Sequence, residues 1–195
     1  MKNEDRYFEM VRQASENVSK YIKQYKAKKS IEEEDDGWNE HEATWKALLF
    51  HELILSDEKV KDYLSMENKA NTTERNTINK RFDFWIQDSE IGINYVLEVK
   101  LIHHKRRKNG IGFTKLNSDT GVYGDLMKIN QYLTSENVYV VKGISIAVSL
   151  NSGVDVNEVI QKVDVNLKEM LNDDLRLLIC SNGKCEYVPA NKESK

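Results

Sequence analysis

One stretch limits what this chain can become: NYVLEVKLIHHKRRK, from Asn94 to Lys108. Tyr95, Val96, Leu97, Val99, Leu101 and Ile102 are aromatic, β-branched or aliphatic, and a run of that composition makes a strand that must lie in a core. Glu98 and Lys100 interrupt it on one face, because side chains at i and i+2 of a strand point the same way. Buried charges are costly unless paired or bound to a cation. The strand then runs into six consecutive basic or imidazole residues, His103 to Lys108.

At 195 residues, 39% of them hydrophobic, the chain fits one domain with an appended arm, and its 31% charged residues stop short of a disordered composition. No apolar run approaches the ~20 residues that span a bilayer. The opening MKNEDRYFEM lacks the apolar centre of a signal peptide. A cytoplasmic protein with no membrane partner is therefore expected. Cys180 and Cys185 are too few for a disulfide framework and are expected as reduced thiols. They flank SNGK, whose Asn182-Gly183 suits a tight turn, so they are expected to face each other across two strands. No second Cys or His pair completes a zinc set. The net charge of −3 argues against a general polyanion binder, but its distribution is uneven. Between Lys100 and Lys142 eight Lys/Arg stand against three acids, leaving 21 basic and 29 acidic residues elsewhere. That section can face phosphates while the remainder stays acidic.

Periodicity organises the rest. Residues 5–29 read as a helix in which Tyr7, Val11, Ala14, Val18, Tyr21 or Ile22, and Tyr25 recur at steps of four and three. Such a stripe suits packing either on a second copy, giving a homodimer through this helix, or on the chain's own domain. Glu32 to Gly37 breaks the pattern as an acidic linker. The expected division is a helical arm and linker over 1–36 and an α/β domain over 37–195. A second helix spans Asn39 to Leu55. Residues 56–80 are polar, read as partly helical with a loop. Arg81 to Gln87 and Ile93 to His103 read as strands joined by a turn at Ser89 to Gly92. Asn109 to Gly121 reads as a loop, and Asp125 to Thr134 as a helix. Val138 to Leu150 reads as a buried strand, Val156 to Leu171 as a helix, and Leu175 to Val188 as a hairpin. Strands separated by helices predict an α/β fold, a mixed sheet flanked by helices.

The chemistry gathers on the first two strands. Asp83 lies among Phe82, Phe84 and Trp85, and adjacent strands run about 4.8 Å apart. Asp83 and Glu98 can therefore share one divalent ion if their register agrees. Without a cation, two buried carboxylates raise each other's pKa. Mg²⁺, which prefers hard oxygen ligands and retains waters, removes that penalty. Lys100, one pleat along from Glu98, is placed to orient a metal-bound water, hold a scissile phosphate, or stabilise charge on an attacking oxygen.

This arrangement resembles the PD-(D/E)XK nuclease superfamily, which includes type II restriction endonucleases and archaeal Holliday-junction resolvases. Asp83 in RFDFWI and Glu98-Val99-Lys100 in YVLEVKLI carry the resemblance, over a segment from Asn39 to Leu150 that fits the α-β-β-β-α-β core order. The chain departs from the motif's name in having Phe82, not proline, before Asp83. Acid-x-Lys alone says little, since it recurs at Asp57/Lys59, Glu67/Lys69 and Glu193/Lys195 in polar surroundings. The resemblance implies a restriction-endonuclease-like fold and Mg²⁺-dependent hydrolysis of DNA by an endonuclease, with Mn²⁺ substituting. It makes Asp83, Glu98 and Lys100 catalytic. Asp83, Glu98 and a helix glutamate would hold the metal; Glu42 and Glu52 compete, and Glu42 is preferred because Trp45, Leu48 and Leu49 follow it at core spacing. Lys105, Arg106, Arg107 and Lys108 would contact the DNA backbone, as would Lys128 and Gln131, which repeat with Asp125 at helical spacing. His103 and His104 read as exposed. Trp38, Trp45 and Trp85 read as core. Two alternatives stay open: a cross-strand ion pair involving Lys100, and a nuclease-fold protein that binds DNA or protein without cutting.

Overall fold

The computed structural model describes residues 3–29, 39–57, 60, 64–69, 81–88, 93–107, 110–134, 141–150 and 153–190. Two helices, α1 (Asn3–Lys29) and α2 (Asn39–Ser56), precede strands β1 (Leu64–Lys69), β2 (Arg81–Asp88), β3 (Ile93–Arg107) and β4 (Gly110–Thr114). Helix α3 (Val122–Leu133), strand β5 (Val141–Ser149), helices α4 (Val156–Gln161) and α5 (Val165–Met170), and strands β6 (Leu175–Ser181) and β7 (Lys184–Tyr187) follow. The seven strands form one mixed sheet in the order β1-β2-β3-β5-β6-β7, with β4 paired to the far end of β3. Its centre is parallel: β3 pairs β5 from Asn94↔Val141 to Ile102↔Ser149, and β5 pairs β6 from Gly143↔Leu175 to Ser149↔Ser181. β2 and β7 flank these strands in antiparallel fashion. The near-continuous apolar runs of β3, β5 and β6 suit strands covered on both faces.

Two cores result, one per face. On the first, Tyr7, Phe8 and Val11 of α1 and Trp45, Leu49 and Leu53 of α2 meet Leu97, Val99, Ile144 and Ile146. On the second, Leu126 and Ile129 of α3, Val159 of α4 and Leu167 of α5 cover Val96, Ala147, Leu177 and Ile179. Helix α3 sits so close that a Cβ on Gly143 would fall 2.1 Å from an Ile129 methyl, so β5 needs glycine there.

The α/β class with a mixed, helix-flanked sheet is as the periodicity predicts, and several elements differ. The helix expected as an arm is a layer of the core: Tyr7, Val11, Ala14 and Val18 are buried against the chain's own sheet and α2. The stripe therefore lies on its own domain. Only Tyr21 and Tyr25, at its far end, are exposed. Residues 64–69 form an edge strand, not a helix or loop; LSMENK gains its order by pairing with β2, a contact no local pattern announces. β3 continues past His103 to Arg107 because β4 pairs with it from His103↔Thr114 to Arg107↔Gly110. The helix expected over Val156 to Leu171 breaks in two, since Asp155 and Asp164 each cap a new first turn by accepting the N–H two residues on.

At the last hairpin Asn182 and Gly183 take φ of 51° and 80°, the left-handed pair a two-residue turn requires. That turn sets Cys180 directly opposite Cys185, Cα atoms 4.2 Å apart, and the two are joined as a disulfide where reduced thiols were expected. Among the described residues no helix is long and apolar enough to cross a membrane.

Candidate active site

The site forms where β2 leaves β3. Their pairing runs from Asp88↔Ile93 to Phe84↔Leu97 and goes no further, although the next step would set Asp83 opposite Glu98. β2 is irregular there: Phe84 and Ile86 lie in the first core, but Phe82, two residues from Phe84, lies in the second. A regular strand would keep them on one face. The departure leaves β3 amides without a strand partner, and carboxylates take them up. Asp83 Oδ2 accepts the Val99 N–H at 2.8 Å, and Glu42 Oε2 accepts the Leu101 N–H at 3.5 Å.

Lysines complete the cluster. Lys46, one turn after Glu42 on α2, donates to Asp83 Oδ1 at 2.8 Å and to Glu42 Oε1 at 3.0 Å. From the other face Lys128 of α3 is hydrogen-bonded to Glu98, with its ammonium 4.7 Å from the centre of the Phe82 ring. Asp125, three residues before Lys128 and so on the same side of α3, has Oδ2 4.0 Å from Lys100 Nζ. Four carboxylates and three ammonium groups thus meet at one break in the sheet.

The carboxylates do not share one electrostatic fate. Burial pushes the Glu98 carboxyl up to about 8; the charge of Asp83 adds to this and Lys128 opposes it. Burial likewise raises Asp125 to about 6, against the charges of Lys100 and Lys128. Burial also works on Glu42, but the hydrogen bond and charge of Lys46 outweigh it, and Glu42 lies below its ordinary value. Lys46 in turn is raised, the two carboxylates overcoming its own desolvation. Among the buried atoms without a hydrogen-bond partner are Asp125 Oδ2 and the hydroxyl of Ser145, the residue that sits beside Glu98 in the β3–β5 register.

The residues therefore fit a hard divalent cation in their chemistry. They offer carboxylate oxygens, two of them on groups raised chiefly by burial, a cost a bound cation would offset, and a carboxylate oxygen without a hydrogen-bond partner among them. As arranged, no group of three or more acidic, imidazole or thiol side chains among the described residues forms a metal cage. Lys46 stands between Glu42 and Asp83, and Lys128 holds Glu98.

Of the residues singled out by sequence, Asp83, Glu98, Lys100, Glu42 and Lys128 come together. Glu52 does not. It accepts from Asn17 at 3.0 Å between α1 and α2, on the opposite end of the helix from Glu42. Gln131 lies exposed on the next turn of α3. Lys105, Arg106 and Arg107 stand in the β3–β4 ladder, their side chains outside the described residues, as is Lys108 altogether. His103 is exposed, Trp45 fully buried and Trp85 half-buried against Tyr132; Trp38 lies outside the described residues. Sequence reasoning missed Lys46 and Ser145. The spacing of four from Glu42 was the available signal for Lys46; nothing local marks Ser145. Comparison with protein-family profiles, curated proteins and solved structures finds no match to this chain.

Proposed function

We propose that this protein is a Mg²⁺-dependent endonuclease that hydrolyses phosphodiester bonds in DNA, with a core of the PD-(D/E)XK type. The observation that carries the reading is the meeting of Asp83, Glu98 and Lys100 with Glu42 where β2 leaves β3. Asp83, Glu98 and Glu42 would hold the ion, and Mn²⁺ would substitute for Mg²⁺. When bound, the ion supplies Lewis-acid polarisation of the phosphate and a more acidic water. Lys100 contributes a fixed positive charge beside Glu98, where it orients the attacking water and meets the negative charge that develops at phosphorus. Asp125, 4.0 Å from that ammonium, positions it. Lys46 and Lys128 balance the charge of these carboxylates, Lys46 at Asp83 and Glu42 and Lys128 at Glu98.

One observation favours a second reading. Three lysines nearly neutralise four carboxylates without any metal, as they would in a nuclease-fold protein that binds DNA or protein and no longer cuts. The experiment that separates the two is a melting curve with and without Mg²⁺, joined to a cleavage panel of plasmid, single-stranded and branched DNA with Mg²⁺ and Mn²⁺. The nuclease reading expects Mg²⁺ to raise the melting temperature of the wild type but not of Asp83→Ala, and cleavage of at least one substrate. Absence of both effects leaves the binding module.

A further inference from the structure

We infer that the C-terminal half of α1 is a docking surface for the DNA backbone, laid along the sheet edge beside the candidate site; this rests on the DNA reading above. From Lys20 to Lys29 the helix reads KYIKQYKAKK, five lysines and no acid. Its first half is different: Glu9, Arg12, Glu16 and Lys20 form a ladder of two acids and two bases. The positive charge is thus concentrated beyond Lys20. Between these lysines Tyr21 and Tyr25, four apart and so on one face, are 58% and 49% exposed. Phenol hydroxyls donate to phosphate oxygens, and phenol rings stack on unpaired bases.

The place matters as much as the charge. Lys23 donates to the Asn182 carbonyl at 3.3 Å and Lys26 to the Leu150 carbonyl at 2.6 Å. Those carbonyls lie one residue beyond Ser181 and Ser149, the carboxyl ends of β6 and β5, which are in register with Ile102 of β3. Ligands of parallel sheets bind at that edge. Trp45 lines a small cavity together with Lys23 and Lys26, and Lys46, next to Trp45 on α2, donates to both Glu42 and Asp83. A polyanion crossing the site along the sheet edge would run over α1.

The test is binding of a fluorescent DNA duplex by anisotropy in metal-free buffer, over a range of salt, for the wild type and for a Lys23→Gln, Lys28→Gln, Lys29→Gln variant. Lys26 is left in place because its bond to the Leu150 carbonyl is short and partly buried, whereas that of Lys23 to Asn182 is long and exposed. The slope of log affinity against log salt is expected to become shallower by about 0.9 for each lysine that meets a phosphate, with the melting temperature unchanged. A wild-type slope retained by the variant overturns the inference, whether or not the melting temperature falls; a fall would assign the lysines to the helix C-terminus alone. Polyglutamate bound more tightly than DNA at equal salt overturns it in favour of an acidic protein. If the wild type shows no salt-dependent DNA binding, the DNA reading itself fails. A bound wild type with an unaltered variant removes only this surface.

Discussion

Lys100 separates an enzyme from a relic most sharply. Its ammonium lies among carboxylates, and among the described residues its ion-pair partner is Asp125, held no closer than 4.0 Å. A charge held that way is free to act on a substrate. Lys100→Met keeps the packing of the stem. It is expected to retain the fold and Mg²⁺ binding, while single-turnover cleavage slows on the order of 10²–10³-fold, as when one preorganised donor is lost. Asp83→Ala is expected to lose metal binding and cleavage together. A Lys100→Met protein that unfolds, or cuts as fast as the wild type, would make the lysine a structural ion-pair partner. The raised carboxyls carry a second expectation. Glu98 titrates near 4.5 when unfolded and near 8 when folded, and Asp125 near 3.8 and near 6. Within those windows the folded chain binds more protons than the unfolded one, so stability falls as pH rises. The metal-free protein should therefore be more stable to urea at pH 5 than at pH 8. The lowered Glu42 and raised Lys46 act outside this range, below 4.5 and above 10.5. Mg²⁺ should flatten the dependence, because it favours the ionised carboxylates. A profile equally steep with Mg²⁺ would separate these two groups from the metal.

Elements were legible in the sequence to different degrees. β5 announces itself, since a nine-residue run of mostly Val, Ile and Ala between polar ends has few other uses. β1 and β4 do not, because LSMENK and GIGFT are strands only by virtue of the neighbours that pair with them. α1 was legible as a helix but not in its placement: a stripe of Tyr7, Val11, Ala14 and Val18 says that something covers it, not what. Its burial reverses the expectation for truncation. Deleting residues 1–30 should unfold the domain, not convert a dimer to a monomer. Phe8→Ala, which empties a site between Tyr95, Tyr187 and the Arg176 guanidinium, should cost about 3–5 kcal/mol in chemical denaturation. A cost below 1 kcal/mol, or a folded truncated chain, would return α1 to the status of an arm. The β3–β4 hairpin carries its own expectation. If Arg106 and Arg107 meet the backbone, replacing both with Ala should weaken binding to all DNA sequences alike and flatten the salt slope. An unchanged slope removes the hairpin from the interface.

At the scale of the whole molecule, the sequence by itself determined the layers and the chemical inventory. Period-two and period-3.6 apolar patterns required an α/β sheet with helices over it. Charges embedded in apolar strands marked Asp83, Glu98 and Lys100, because only an unusual environment tolerates them. The tight turn at Asn182-Gly183 was equally local, and it appears as read. What only the tertiary structure decided is every relation between distant segments: that β2 parts from β3 at Asp83, that Lys46 arrives there from α2 and Lys128 from α3, and that Glu42, not Glu52, faces the gap. It also joined Cys180 to Cys185 and turned α1 inward. The reason is physical. Periodicity and burial cost are properties of neighbours along the chain, whereas a charge cluster is assembled by the crossing of elements whose packing no single segment encodes.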